Sequence, residues 1–186
     1  MRNLIFAINI SLDGCCDHTK MDPPSDAEQS HYFTRLLRDE VDLMVFGRKT
    51  YELMVPYWPD IAKSQAETKM ENEFARAFDA LPIVVFSKSL KSAGENTTIL
   101  RGNLRDEILR LKQQPGKKIL VGGVALTSQL IELGLVDEFR FMVQPVIAGE
   151  GVRLMQGVPL PQRLRLKLVD SKLFPSGAVA LHYLRA

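Results

Sequence analysis

Cysteine is almost missing from this 186-residue chain, and its two thiols, Cys15 and Cys16, are adjacent. A neighbouring pair cannot build a disulfide framework. With no further thiol and no His-x-Glu or HExxH pattern, a zinc site is excluded as well, and no metal is expected. The pair reads as small loop residues or as an oxidisable pair, and a reducing compartment suits it. Long apolar runs are missing too. Nothing approaches the ~20 apolar residues that a membrane helix requires. The apolar start, NLIFAINI, stops at Ser11 and Asp13 without a small-residue cleavage site, so a soluble, cytoplasmic protein with no membrane partner is expected. Excess charge is the third absence. Lys plus Arg is 24 and Asp plus Glu is 22, a net charge of +2. That balance excludes nucleic acid as the main partner, so any basic site has to be local. There are no repeats and no low-complexity segments.

What is present is an alternation of short apolar runs with helical patterns. Residues 3–10, 41–46, 83–87, 97–100 and 118–121 read as strands, and a long strand is expected over 136–147. Two alternating stretches, 164–174 and 178–185, flank Pro175-Ser176-Gly177 and read as a C-terminal hairpin. Helices are expected over 26–39, from Arg48 to just before Pro56, over 60–80, after an Asn103 N-cap, and over 124–133 with Gly134 at its end. Strand–helix alternation implies parallel neighbours, and the hairpin adds antiparallel ones. The expectation is one α/β domain over residues 1–186, a mixed sheet of about eight strands. Two long irregular segments, 15–27 and 148–163, remain as loops.

In an open α/β sheet, ligands bind beyond the carboxyl ends of the strands. Here those ends carry a consistent chemistry. FGRKT places a glycine, two cations and a hydroxyl at a helix start, where cations are mildly unfavourable unless an anion sits there. FSKS adds Ser87 and Lys88, and VGGVA opens another helix with two glycines. Glycines allow close backbone approach to a pyrophosphate, and cations with serine suit a terminal phosphomonoester. Together these groups point to a dinucleotide carrying an extra phosphate, NADP(H), although neither GxGxxG nor GxxxxGK[ST] occurs.

The order SLDG (11–14), FGRKTYE (46–52), VFSKSL (85–90), ILVGGVALTSQLIELGLVDE (119–138) and QPVIAGEG (144–151) resembles the dihydrofolate-reductase-like superfamily. It is most similar to the reductase domain of bacterial riboflavin biosynthesis (the RibD C-terminal domain) and its stand-alone relatives. The resemblance implies a three-layer fold with a central eight-stranded mixed sheet flanked by helices, NADPH as cofactor and a homodimer. Gly47, Arg48, Lys49 and Thr50 match the segment that holds the cofactor phosphates. Ser87 and Lys88 match the strand end near the 2′-phosphate. Gly122, Gly123, Val124 and Ala125 match the pyrophosphate turn, and Ala7 and Ile8 the strand beside the nicotinamide.

The implied reaction is hydride transfer to a small heterocycle, such as 5-amino-6-(5-phosphoribosylamino)uracil. No deaminase domain accompanies it, and dihydrofolate reduction fits less well because the helix DAEQSHYFTRLL lacks a secure match to the pterin-binding carboxylate. A non-catalytic NADPH-binding module is the alternative. Hydride transfer also needs a proton donor, for which Asp13, Glu28 and His31 are the candidates; the alternative for Asp13 is a turn-former in Leu-Asp-Gly, and for His31 an ordinary helix residue. Trp58, in YWPDI, either lines the cleft or anchors a loop, and Glu150, in AGEG, either faces substrate or lies exposed.

Overall fold

Apolar residues at successive positions, as in Leu4-Ile5-Phe6, cannot belong to a strand with one wet face. They require cover on both sides, which is the position of a central parallel strand. The computed structural model describes residues 1–21, 27–160 and 162–186, without the side chain of Ser30, and shows that arrangement. The strands are β1 (Leu4–Ser11), β2 (Val41–Gly47), β3 (Ile83–Phe86), β4 (Thr97–Leu100), β5 (Lys118–Gly122), β6 (Glu138–Gln144), β7 (Leu166–Leu173) and β8 (Val179–Arg185). They form one sheet in the order β4-β3-β2-β5-β1-β6-β8-β7. The six strands from β4 to β6 run parallel, while β8 pairs antiparallel with both β6 and β7. This is the α/β sheet of the dihydrofolate-reductase-like fold, hairpin included.

The helices are α1 (Ala27–Arg35), continued by a π-helical turn Leu36–Glu40, then α2 (Arg48–Ser64), α3 (Lys69–Asp79), α4 (Leu104–Gln113) and α5 (Val124–Glu132). One face of the sheet packs Leu4, Phe6, Val45 and Val121 against Ile108 of α4 and Leu126 and Leu130 of α5. The other packs Ile5, Met44, Phe46 and Val85 against Leu36, Leu37, Tyr51 and Phe78, below α1, α2 and α3. The alternation of side chains along each strand decides which core a residue joins.

Three boundaries differ from the sequence expectation. α2 does not fade before Pro56. It continues through Pro56 and Pro59 to Ser64, so YWPDI is helix rather than loop. Each proline removes one intrahelical bond, but Trp58 packs edge-on against Phe74 of α3 at 4.6 Å between centroids and ties α2 to α3. The helix expected over 60–80 is therefore two helices. α3 opens at a reciprocal cap in which the Glu71 amide donates to Thr68 Oγ1 and the Thr68 amide donates to the Glu71 carboxylate, a Thr-x-x-Glu signature visible in the sequence. The strand expected over 136–147 is confined to Glu138–Gln144, because Pro145 has no N–H to continue the ladder. Residues 22–26 and 161, which fall in the two expected loops, lie outside the described residues, as does the expected helix start at 26.

An ionic cluster ties the π turn to the sheet. The Arg140 guanidinium donates to both Glu40 oxygens, at 2.8 and 2.6 Å, and to Glu138 at 2.8 Å. Lys118 donates to Glu40 at 2.8 Å. Arg140, with help from Lys118, holds the Glu40 carboxyl down to about 2, below its ordinary value of 4.5. A depressed carboxyl stabilises the fold above its unfolded value and loses that contribution as pH falls through its folded value. The stability gap between wild type and Glu40→Gln, measured by urea unfolding, is therefore full above pH 4.5 and closes as pH falls toward 2. In the core, Phe78 is 1% exposed. Phe78→Ala is expected to cost about 3–5 kcal/mol in the same assay.

Candidate functional site

Pairing between β1 and β5 stops at Phe6↔Val121, while β1 continues alongside β6 to Ser11↔Gln144. Beyond Phe6, Ala7 and Ile8 therefore face an opening on the β5 side. The chain leaving β5 passes to α5 on one face, whereas the chains leaving β1 and β2 pass to α1 and α2 on the other. This reversal is the kind of crevice where open α/β sheets bind ligands.

Gly122 and Gly123 make the reversal possible. A Cβ on Gly122 would lie 2.4 Å from the Phe46 ring, and one on Gly123 would lie 2.1 Å from Thr50 Oγ1. Gly123 also has φ +89°, in the region that favours glycine. The starts of α2 and α5 are thereby brought together. Both helices begin at a glycine and lack a side-chain cap. By contrast, α3 and α4 are capped by Thr68 and Asn103. The first-turn N–H groups of α2 and α5 remain available to an anion.

These elements border a cleft of about 390 Å³. Gly47, Arg48, Lys49 and Thr50 line it from α2, Ser87 and Lys88 from the end of β3, and Ala125 from α5. The sequence singled out every one of these, and the fold assembles them. Val124, with Gly122 and Gly123, forms the adjoining turn. Ser87 Oγ accepts from the Leu90 amide at 2.9 Å, which fixes the turn that carries Lys88. The sequence reading missed Arg101 and Gly102, which line the same cleft from the end of β4. The Arg101 guanidinium donates to the Leu90 carbonyl at 2.5 Å. Arg48, Lys49, Lys88 and Arg101 place four cations on one cleft. Arg48 has Glu52 3.7 Å away on the next turn of α2. A donor set of cations, serine and open helix starts fits a dinucleotide with an added phosphate.

The residues expected at the substrate end have other engagements. Asp13 is a clamp. Its carboxylate accepts from Ser11 Oγ at 2.6 Å, from the amides of Ala148 and Gly149 at 3.0 Å each, and from Arg153 at 3.1 Å. The Ser11 hydroxyl and these amides hold it well below the usual carboxylate range. These contacts occupy the carboxylate for which a donor role is expected. Glu28, on the first turn of α1, pairs with Lys172 at 2.9 Å. Glu150 pairs with Lys20 at 2.6 Å. Trp58 packs on Phe74 and Phe78 and serves as an anchor between α2 and α3. Cys15 and Cys16 are both buried, and burial pushes the Cys16 thiol up, away from reactivity. Among the described residues no group of three or more His, Cys, Asp or Glu could hold a metal, and no helix is long and apolar enough to cross a membrane.

Asp13 joins the segment after β1 to the segment after β6. Asp13→Asn is expected to accelerate hydrogen exchange at the Ala148 and Gly149 amides, while amides in β1 and β5 keep their protection. Equal exchange in both proteins would mean that the clamp does not hold the two loops.

Comparison with known proteins identifies the family and the fold. The chain is 32% identical over 190 residues to the uncharacterized protein YyaP of Bacillus subtilis (strain 168), covering 98% of this chain and 94% of that one. It is 32% identical over 151 residues to YwjB of the same organism, covering 78% and 75%. Among solved structures, a protein from Shewanella sp. PV-4 provisionally assigned to riboflavin biosynthesis superposes with a TM-score of 0.75 at 20% identity, covering 100% of this chain and 99% of that one. A pyrimidine reductase-like protein from Corynebacterium diphtheriae superposes with a TM-score of 0.65 at 15% identity, covering 100% and 92%. The RibD C-terminal domain family matches residues 2–180, and the chain belongs to that family.

Proposed function

We propose that the chain is an NADPH-dependent reductase acting on a small heterocycle. The observation that carries this reading is the convergence of four cations and two uncapped helix starts on one cleft at the strand crevice. An adenosine 2′-phosphate carries close to two negative charges and is the feature that separates NADPH from NADH. In this reading Lys88, Ser87 and Arg101 hold that phosphate. Arg48, Lys49 and the starts of α2 and α5 hold the pyrophosphate, and Gly122 and Gly123 let it approach the backbone. Ala7 and Ile8 border the opening in the sheet where the reacting ring would lie. When bound, the cofactor supplies a hydride. The family and the pyrimidine reductase-like fold neighbour favour a pyrimidine-type substrate, with 5-amino-6-(5-phosphoribosylamino)uracil as the first to try.

A non-catalytic NADPH-binding module is the second reading. It is favoured by one observation: both expected carboxylates, Asp13 and Glu28, are engaged in ion pairs. We further propose a homodimer. On the α4–α5 side of the sheet, β6 and β8 carry the half-buried Phe141, Val143, Leu181 and Tyr183. Their neighbours Leu168 and Leu173 on β7 are 49% and 72% exposed. A second copy laid on this face would cover them.

Titration with NADPH and with NADH tests the cofactor site. NADPH should bind about tenfold or more tightly, and Arg48→Ala with Lys49→Ala should weaken NADPH binding by a similar factor. That corresponds to the ~1.5–3 kcal/mol of a charge-assisted phosphate contact. Arg101→Ala should lower NADPH affinity while leaving NADH affinity unchanged. Unchanged NADPH affinity in both variants would overturn the assignment. Steady NADPH oxidation with a pyrimidine substrate would remove the non-catalytic reading. Sedimentation of Leu168→Glu with Leu173→Glu as a monomer, against a wild-type dimer, would support the seam.

A further inference from the structure

Past the last β1–β5 pair, on the face below α1, two amides stand side by side at the ends of adjacent strands. Asn9 is on β1, two positions beyond Ala7 on the same face. Gln144 is the last residue of β6. The Gln144 Nε2 group donates to Asn9 Oδ1 at 2.9 Å. Gln144 is fully buried, yet among the described residues its Oε1 has no hydrogen-bond partner. Folded proteins rarely leave a buried side-chain acceptor in that condition, and each case calls for an explanation. The closest hydroxyl in register, on Ser11, is committed to Asp13. Packing alone would be better served by an apolar side chain at 144. What Gln144 does accomplish is to fix the Asn9 amide: with Oδ1 accepting from Gln144, the Nδ2 donors of Asn9 point the other way. Asn9 is only half-buried, and among the described residues its Nδ2 has no partner.

We infer that Asn9 is a specificity-determining residue that donates a hydrogen bond to a ring carbonyl of the substrate, and that Gln144 is the buried positioning residue that keeps the Asn9 donor facing outward. The inference rests on the proposed reductase reading and adds to it the group that reads the heterocycle. An outward NH2 favours a ring bearing C=O at the contacted position and disfavours one bearing an amino group there, because two donors would then meet. The arrangement can also be inverted. A glutamate at 144 only accepts, so Asn9 would turn its NH2 inward to meet it and present Oδ1 to the ligand.

The test uses two probes of the same shape, 5,6-diaminouracil and 2,4,5,6-tetraaminopyrimidine, titrated by calorimetry into the full chain saturated with NADP⁺. Wild type should bind the uracil about tenfold or more tightly. Asn9→Ala, at a half-exposed position, should bring the ratio near one by weakening the uracil, with NADPH affinity unchanged. Gln144→Met should narrow the ratio in the same way, and Gln144→Glu should reverse it, a change that loss of packing cannot produce. A wild-type protein that binds NADPH but neither probe, or both equally, overturns the inference and leaves the cofactor reading intact. So does an Asn9→Ala variant with an unaltered ratio. Failure of wild type to bind NADPH overturns both.

Discussion

Everything at the candidate site depends on where β5 parts from its neighbours. Its ladder with β1 ends at Val121 and its ladder with β2 at Gly122. The chain then turns at Gly123 onto the opposite face from α1 and α2. A side chain at 123 would collide with Thr50, so the turn and the start of α2 can be this close only with glycine there. Close approach sets two helix starts beside one another, and their unpaired N–H groups define where negative charge is welcome. The cations on β3, β4 and α2 add to a field that the backbone has already established.

The two ends of the parallel strands do different work. At the carboxyl ends, charged groups are spread around a cleft, exposed and short of partners. Toward the amino ends, Glu40, Lys118, Glu138 and Arg140 pair with one another, and His182 lies 2.9 Å from Glu138. Balanced charges of the second kind fix the π turn to the sheet and contribute to stability. Unbalanced charges of the first kind contribute little to stability and are available for binding. This contrast separates structural from functional ion groups more clearly than residue type does.

The parts of this organisation that are local in the chain were legible in the sequence. Strands such as KILVG and VDLMVFG announce themselves by continuous apolar residues ending in glycine, and the residues that line the candidate cleft could be picked out because they lie directly after those strands. α2 was not legible, because two prolines signal an ending that tertiary contact between Trp58 and Phe74 overrides. Arg101 was passed over because TTIL is a weak strand whose end drew no attention. The distant partners of Asp13 could not be read. Its partners Ala148, Gly149 and Arg153 are some 135–140 residues away in sequence, and nothing in Leu-Asp-Gly distinguishes a proton donor from a clamp. The same holds for Asn9 and Gln144, whose contact spans 135 residues.

The clamp has a consequence for how such a scaffold can diversify. One carboxylate on the segment after β1 takes hydrogen bonds from the segment after β6, and Cys15 and Arg153 add a backbone bridge between them. The two segments therefore form a single mechanical unit rather than two independent flaps. Transplanting one of them from a relative, without its counterpart, would leave the aspartate facing mismatched donors. Loop exchange between members of this fold should succeed only when both halves travel together.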